Sequence, residues 1–432
     1  MRYGVTGCFF ALLMIFFGGS ACAQNAVPKS FVVGISNQDA IAGPMRLYIG
    51  VIALAATAHK EVEVFLEDLR QKFSLEDRFL VTAELRSSLP KKRKQIQDLF
   101  VAGYDAALFV TFYGSGKTID WRLYETDAGS MVHGRKVACS TLADATAHIA
   151  VRVIEELTTC RMPFLTHIAF VERKSECSGS IIRLASFDGR RQNILFDSSR
   201  ILVSPVWGSS KDTVFIAVSE FTPRNVRFIG IDMQGRRYRL LDEDGTSVGL
   251  CYATDSQEVV YCKSGHIWRL RFNPSRQLWE HRRIVEISGT CGSPSLRKNG
   301  DIIYCSNGKI CAFLAAEKKE RVYTPQGYHV APSYSAAKDA VVFASKIGGQ
   351  IQLQSLNLGT GALEQLTFGS GDKTDPTWSP CGRYCAYCLQ GKGESSIWVL
   401  NTETKVTWRI SPPQIFAQFP SWSPYCTTLE LR

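Results

Sequence analysis

Residues 375–382 read DPTWSPCG and residues 419–425 read FPSWSPY, so nearly the same motif occurs twice. Aligned on the proline, the anchors of this kind are SPVW at Pro205, a degenerate VGLCY near Gly249, SPSL at Pro294, APSY at Pro332, DPTW at Pro376 and FPSW at Pro420. The steps between positions 205, 249, 294, 332, 376 and 420 are 44, 45, 38, 44 and 44 residues. A period of about 40–45 residues with aromatic anchors is typical of β-propeller blades, which have four strands each. We therefore predict a mainly-β chain built around a β-propeller.

Each anchor is followed by patterns for three more strands. Second strands such as DAVVFASK (339–346) and RYCAYCLQ (383–390) are rich in β-branched and aromatic residues, as buried strands are. The short 38-residue step is explained by Asn307-Gly308, a dipeptide that favours a two-residue hairpin turn where the other repeats have longer loops.

The earliest strand pattern of the repeat region, THIAFVERK at 166–174, has the features of the second strand of a blade, but no anchor motif precedes it. A ring of blades that did not close would expose unpaired strand edges. We therefore predict that the C-terminal strand near 419–425 completes the first blade, which gives a six-bladed propeller over residues 161–432.

Residues 24–160 lack the repeat and alternate between helix and strand patterns. Apolar spacing and turn signals predict helices over 59–73, 89–100 and 141–157, and paired strands over 105–113 and 118–125. This predicts a small α/β domain with helices on a mixed sheet. The helix pattern also places His148 near the inward face, which predicts a core histidine.

The N-terminus has the features of a secretory signal. Arg2 precedes the apolar run CFFALLMIFFGG (8–19), and Ala21 and Ala23 suit cleavage before Gln24. We predict a signal peptide over 1–23 and an exported protein. An alternative is that Cys22 carries a lipid.

Charge and cysteine content argue against two other classes of site. The net charge is +10, but the basic clusters are short and scattered, which favours a solvated surface over a nucleic-acid track. Cys381, Cys385 and Cys388 lie close together in sequence, yet Cys385 and Cys388 face opposite sides of one strand. We therefore predict no metal site, and nothing in the sequence calls for a cofactor.

The repeat alignment predicts a packing role for three of the cysteines. Cys262, Cys305 and Cys388 share one repeat position with Val171, Ala217 and Ala344, which predicts small buried side chains. An alternative is a disulfide between Cys251 and Cys262 across a hairpin. The sequence leaves the disulfide connectivity open.

The stretch YGSGKT (113–118) has part of a phosphate-loop pattern. The full pattern requires a further glycine where Thr111 stands, and the stretch links two strands instead of opening a helix. We interpret it as a hairpin loop. No nucleophile or acid–base pair is recognisable.

Six loops are expected to converge on the mouth of the propeller channel, where they form a natural docking site. The residues in them are Ser204, Thr246–Val248, Thr290–Ser293, His329–Ala331, Lys373–Asp375 and Gln418–Phe419. From these we predict a partner-binding site made of Thr374, Asp375, Lys373, His329, Ala331, Ser293, Thr290, Ser204, Gln418 and Phe419.

The two anchor motifs, the preceding α/β domain, the export signal and the junction EELTTCRMPFLTHIAFV (155–171) together resemble the TolB family, the periplasmic β-propellers of the Tol–Pal system. The resemblance covers most of the mature chain. Two departures are Cys381, where the family has an aspartate, and the segment 24–36, which lacks the family's acidic start and contains Pro28.

The resemblance implies a non-enzymatic monomeric scaffold in the periplasm, peripheral to the membrane, that acts in outer-membrane integrity, cell division and protein import. It implies binding of a Pal-like peptidoglycan-associated lipoprotein at the rim, with Thr374 and Asp375 in the family's contact stretch. It implies binding of a TolA-like inner-membrane protein through residues 24–36, where this sequence departs from the family pattern. The alternatives are an exported propeller enzyme and a binder of anionic envelope polymer.

Overall fold

The computed structural model describes residues 43–425 except 54–58, 114–117, 139–140, 175–178, 211–212, 244–246, 254–257, 274 and 287–290. These residues form two compact units that divide between Leu165 and Thr166. The predicted signal peptide (1–23), Cys22 and the segment 24–36 lie outside the described residues, as does most of YGSGKT. In the described ranges, no helix has the length and apolarity needed to cross a bilayer.

The first unit is a five-stranded mixed sheet with three helices. Its strands are β1 (Met45–Ala53), β2 (Phe79–Arg86), β3 (Ala106–Tyr113), β4 (Thr118–Glu125) and β5 (Ser130–Ala138), and its helices are α1 (His59–Ser74), α2 (Arg93–Val101) and α3 (Leu142–Thr158). The order is β2-β1-β3-β4-β5, with β1 parallel to both neighbours and the other pairs antiparallel. The predicted α/β domain of helices on a mixed sheet is confirmed.

Local sequence explains the helix ends. Thr141 caps α3 by accepting the backbone N–H of Asp144 on its hydroxyl at 3.1 Å. α2 begins at Arg93, four residues later than predicted: Pro90 disfavours helical backbone at Leu89, and Lys92 is an extended N-cap residue. The prediction for His148 was wrong: this side chain is exposed, since it lies about 100° around α3 from the buried Ile149.

The second unit contains six four-stranded antiparallel sheets. Its strands in chain order are β6 (His167–Arg173), β7 (Ser180–Ser186), β8 (Gln192–Ser198), β9 (Leu202–Ser210), β10 (Thr213–Phe221), β11 (Val226–Asp232), β12 (Arg237–Glu243), β13 (Ser247–Ala253), β14 (Glu258–Lys263), β15 (His266–Asn273), β16 (Leu278–Glu286), β17 (Cys291–Leu296), β18 (Ile302–Ser306), β19 (Lys309–Leu314), β20 (Lys319–Val322), β21 (His329–Ser335), β22 (Ala340–Ile347), β23 (Gln350–Asn357), β24 (Leu363–Gln365), β25 (Asp372–Trp378), β26 (Tyr384–Gly391), β27 (Glu394–Asn401), β28 (Thr407–Arg409) and β29 (Phe416–Trp422). Their sheets are β29-β6-β7-β8, β9–β12, β13–β16, β17–β20, β21–β24 and β25–β28, numbered here as blades 1 to 6. The predicted six-bladed propeller is confirmed.

The last strand of the chain pairs with the first strand of the propeller. β29 runs antiparallel to β6, with Trp422 opposite Ile168. Beyond this ladder the backbone N–H of His167 donates to Ser423 Oγ at 2.9 Å, and the N–H of Ser423 donates to His167 O at 2.8 Å. The strand begins at Phe416, three residues before the predicted stretch, and blade 1 thus joins residues that are about 250 apart in sequence.

The ladder register shifts one predicted anchor by a residue. Leu250, and not Gly249, occupies the position that is proline in the other blades. Gly249 stands at the preceding position, where the backbone has a φ of +82°. The sequence alignment had paired the glycine with the prolines because no proline is present there to set the register.

The register also corrects two predictions about the cysteines. Ser219, and not Ala217, shares the repeat position of Cys262. Cys251 lies opposite Val260 in the β13–β14 ladder, so the alternative of a Cys251–Cys262 disulfide across that hairpin was wrong. Among the described cysteines, none is in a disulfide.

Closure of the ring can be tested at Trp422. Its side chain is fully buried and its indole N–H donates to Thr166 Oγ1 at 2.8 Å. Trp422→Ala should lower the free energy of unfolding by about 3–5 kcal/mol, because it removes a buried indole from the closing strand. Urea unfolding followed by tryptophan fluorescence and circular dichroism measures the loss. Trp279→Ala, on the outermost strand of blade 3, is the control and should cost clearly less; equal losses would contradict a special role for the closing strand.

Candidate functional site at the mouth of the central channel

Each blade's innermost strand has the same backbone irregularity near its start. The residue before the anchor position has a positive φ in all six blades: Ser204 (53°), Gly249 (82°), Ser293 (48°), Ala331 (52°), Asp375 (50°) and Phe419 (54°). At the same place the ladder to the second strand skips a residue, for example between Thr374 and Thr377. This is a β-bulge, in which one extra residue leaves the ladder.

Proline provides a physical reason for the bulge in five of the six blades, whereas blade 3 has the same bulge with Leu250 at the anchor position. Proline has no N–H group and therefore cannot donate to an interior ladder, so it is accommodated where the ladder is already broken. Non-glycine residues with positive φ are strained by about 1–3 kcal/mol each, and such strain persists only where the surrounding structure imposes it. Here the packing of six blades around one axis imposes it at equivalent positions.

The six bulges surround one cavity on the channel axis. It encloses about 730 Å³, including solvent at its mouth. Its lining is Ser204, Pro205, Val206, Trp207, Gly249, Leu250, Cys251, Ser293, Pro294, Ser295, Ala331, Pro332, Asp375, Pro376, Phe419, Pro420, Trp422 and Pro424. Proline rings, hydroxyls and backbone dominate this surface, which is of mixed polar and apolar character.

Asp375 is the one carboxylate among the described residues that line this cavity. The surrounding protein raises the pKa of this carboxyl because burial penalises its charged form, and a hydrogen bond from Thr374 opposes the effect in part. The Thr374 hydroxyl donates to Asp375 Oδ2 at 3.1 Å. Blade 6 therefore contributes to the channel mouth a carboxyl group with a raised pKa.

The structure brings together five of the ten residues predicted from the sequence. Ser204, Ser293, Ala331, Asp375 and Phe419 all line the cavity, each from a different blade and each at the bulge. They are partly exposed toward the channel. Gly249 completes the set from blade 3 and was missed, although a glycine in a degenerate repeat is a signal for a position that needs positive φ.

Two other predicted residues are buried and support the mouth from behind. The imidazole of His329 is hydrogen-bonded through Nε2 to Gln326 O at 2.7 Å and through Nδ1 to Ser345 Oγ at 2.8 Å. Lys373 extends its ammonium into the loop before β25, where it donates to three backbone carbonyls at 2.8–3.1 Å, and burial lowers its pKa.

The loop that Lys373 holds carries an exposed aromatic ring. The carbonyls are those of 368–370, and the Phe368 side chain is 65% exposed. Tyr328, in the corresponding loop before β21, is 52% exposed. Sequence reasoning missed both residues because an aromatic residue beside a strand is normally assigned to the core.

The remaining predicted residues lie beside the cavity or outside the described residues. Thr374 is partly exposed next to Asp375. Gln418 is also partly exposed, and its Oε1 is buried with no hydrogen-bond partner among the residues that the structure describes. Thr290 lies outside the described residues.

A match to a family model identifies the family of this chain. Residues 154–426, more than half of the chain, match the family model of the TolB beta propeller domain. The chain belongs to the TolB β-propeller family. The family resemblance predicted from the anchor motifs is confirmed.

Individual TolB proteins give weaker but consistent matches. The Tol-Pal system protein TolB of two Histophilus somni strains, 2336 and 129Pt, is 30% identical over 187 residues, which is 38% of this chain and 43% of each relative. The chain thus spans less than half the length of these relatives in the match. The crystal structure of TolB from Acinetobacter baumannii superimposes with a TM-score of 0.72 at 17% identity, over 89% of this chain and 97% of that one, which shows a common fold.

The bulge at Gly249 can be tested by adding a side chain. A Cβ at this position would lie 2.6 Å from the backbone nitrogen of Ser293, and the substituted residue would have to adopt a φ of +82°. Gly249→Ala should therefore cost about 1–3 kcal/mol of unfolding free energy, measured by urea titration. The control is Ala331→Gly at the equivalent bulge, which should change stability by no more than about 1 kcal/mol. A neutral Gly249→Ala variant would show that the two inner strands are less closely packed than described.

The raised pKa of Asp375 predicts a pH dependence of stability. The folded state binds the carboxyl proton more tightly than the unfolded chain does. The contribution of this group to the free energy of unfolding is therefore fully present below the ordinary aspartate pKa of about 4, and it is lost as the pH rises through the raised pKa of the folded state. Asp375→Asn should therefore raise the melting temperature at neutral pH, and the gain should shrink as the pH approaches 4. Thermal melts across this range measure it. Glu394→Gln, an exposed carboxyl on β27, is the control; a gain that does not depend on pH would argue against a buried charge.

Proposed function

We propose that this chain is a periplasmic scaffold of the Tol–Pal system that binds a Pal-like peptidoglycan-associated lipoprotein at the mouth of its channel. Through this contact it supports outer-membrane integrity and constriction at cell division, without catalysing a reaction. Membership of the TolB family supports the proposal, as do the Histophilus somni relatives named Tol-Pal system protein TolB. The predicted signal peptide is the reason for placing it in the periplasm.

The observation that carries the proposal is the ring of bulged residues around the channel mouth. Every blade contributes one residue whose backbone is fixed by a bulge, so the surface changes little when a partner binds. Binding to a preorganised surface loses less conformational entropy than binding to mobile loops. A cavity of a few hundred Å³ suits a loop or chain end of another protein.

The chemistry of the lining favours docking over the two alternatives. Acid–base catalysis generally uses titratable groups in pairs, whereas Asp375 faces prolines and hydroxyls. An anionic polymer would be repelled by this carboxylate at the mouth, even though the chain as a whole carries a net charge of +10. A neutral or basic segment of a protein partner fits the surface better.

The proposed site has three parts. Asp375 and Thr374 offer polar contacts on blade 6, Ser204 and Ser293 offer hydroxyls on other blades, and Phe419 offers an apolar contact on blade 1. His329 and Lys373 act indirectly, by holding loops. Ala331, Gln418 and Thr290 complete the proposed rim, and binding of a TolA-like protein through residues 24–36 is a separate proposal that rests on the family resemblance.

The test is a matched pair of arginine substitutions. Thr374→Arg places a long charged side chain at the mouth and should weaken binding of a purified Pal-type lipoprotein, without its lipid anchor, at least tenfold in calorimetric titration. Thr360→Arg makes the same change in an exposed turn between β23 and β24, at the other end of blade 5, and should bind as the unsubstituted protein does. Circular dichroism melts of both variants check folding. If Thr374→Arg binds normally, or if both variants bind equally weakly, the channel mouth is not the site.

A further inference from the structure

Hydroxyl side chains connect neighbouring blades near the channel at three junctions, whereas the junction of blades 3 and 4 has a thiol at the same position. In three junctions, the side-chain oxygen of the residue after the anchor proline accepts a backbone N–H from the next blade's inner strand. These bonds are Ser295 Oγ to Tyr334 N at 3.0 Å, Ser333 Oγ to Trp378 N at 3.5 Å and Thr377 Oγ1 to Trp422 N at 3.5 Å. In blade 3, which faces blade 4, this position is Cys251.

The same junction contains a pair of thiols. Cys262, on β14 of blade 3, and Cys291, at the start of β17 of blade 4, belong to one apolar cluster between the two blades. Cys262 is 2% exposed, whereas Cys291 is partly exposed. The proposed function does not use either thiol.

The repeat geometry places the Cys262 thiol against the backbone of Cys291. Cys305 and Cys388, which share the repeat position of Cys262, direct Sγ onto the carbonyl oxygens of His329 at 3.2 Å and Ala417 at 3.5 Å. His329 and Ala417 each lie three residues before the anchor proline of the next blade. In blade 4 the residue three before the anchor proline is Cys291.

Cys291 is oriented toward blade 3 by the register of its own strand. Its Sγ lies 3.5 Å from the carbonyl oxygen of His266 in blade 3. Cys291 is opposite Ser306 in the β17–β18 ladder, whereas Cys305 is opposite the next residue, Gly292. Because side chains alternate along a strand, Cys291 and Cys305 face opposite sides, and Cys305 is not the partner of Cys291.

The environments of the two thiols differ in a way that suits stepwise oxidation. A hydrogen bond between them lowers the pKa of Cys291 and, together with burial, raises the pKa of Cys262. Cys291, the more exposed of the two thiols, thus also ionises more readily, and thiolates are the attacking species in disulfide exchange.

We infer that Cys262 and Cys291 form a disulfide that joins blade 3 to blade 4. The Cys291 thiolate attacks an external disulfide, such as oxidised glutathione or a dithiol–disulfide oxidant protein, and one thiolate of the oxidant leaves. Cys262 then loses its proton and attacks Cys291 Sγ, so that the second thiol of the oxidant leaves and the internal disulfide forms. Two thiols are oxidised, and one external disulfide is reduced to two thiols.

The crosslink would strengthen the junction where the repeat is least regular. Blade 3 has Leu250 at the anchor proline position and Cys251 at the following position, so it has neither the proline nor the hydroxyl of blades 4, 5 and 6. A covalent bond restricts the unfolded chain and keeps the two inner strands together. The device belongs to this chain's own cysteines and is independent of what the channel binds.

The test uses the full chain, folded, treated with oxidised glutathione. Remaining thiols are then alkylated and the protein is digested with trypsin without reduction. Peptide 284–297, with Cys291, should be linked to peptide 240–263, which contains both Cys251 and Cys262. Cys251→Ser should keep the link, and Cys262→Ala should abolish it and leave glutathione on Cys291. Alanine is tolerated at this position, since Ala344 occupies it in blade 5.

A second measurement tests the effect on the fold. The oxidised protein should melt several degrees higher than the reduced protein, and Cys262→Ala should lose this difference. Cys388→Ala is the matched control at the same repeat position and should keep both the link and the shift. The inference is overturned by an unlinked 284–297 peptide in the oxidised protein, by a link that persists in Cys262→Ala, or by equal melting temperatures with the link in place.

Discussion

The propeller depends on pairing between its two most distant strands. β29 and β6 complete blade 1, and an aromatic cluster packs across the same junction. The Phe187 ring lies 4.8 Å from that of Tyr384, 5.2 Å from that of Trp408 and 5.9 Å from that of Trp422, measured between centroids. The Trp408 indole N–H also donates to Phe187 O at 3.2 Å. The β29–β6 ladder joins strands that are about 250 residues apart, so its loop-closure entropy is large, and the aromatic contacts beside it help to offset that cost.

The channel mouth is a consequence of the same closure. Six inner strands that meet around an axis bring their anchor positions together, and each of the five anchor prolines requires a break in its ladder. The break rotates the preceding residue out of the sheet and into the channel, where it is partly exposed. The docking surface is therefore made of backbone positions that the fold already holds in strain. This explains how residues as different as Ala331 and Phe419 occupy equivalent places.

The blades share a backbone plan but differ in the contacts between them. Blades 4, 5 and 6 each offer a hydroxyl to the next inner strand, and at the junction of blades 1 and 2 the indole N–H of Trp207 donates to Ser421 O at 2.9 Å. Blade 3 has the thiol of Cys251 where blades 4, 5 and 6 have a hydroxyl, and blade 2 has Val206 there. A thiol is a weaker hydrogen-bond partner, but it can form a covalent bond, and two further thiols lie at the same junction. The junction of blades 3 and 4 thus lacks the hydroxyl contact and has thiols in its place.

The sequence by itself determined the number of blades, the anchor motifs and the family, because a period of about 44 residues with proline and tryptophan is visible without any contact information. It also located most loops of the mouth, since the loop before each inner strand must reach the channel. It did not reveal that Leu250 replaces a proline, that Lys373 and His329 turn inward, or that Cys262 meets Cys291. Those features depend on ladder register and on which blades become neighbours. A one-residue bulge moves every later side chain to a different partner, and only the folded ring decides where the bulges fall.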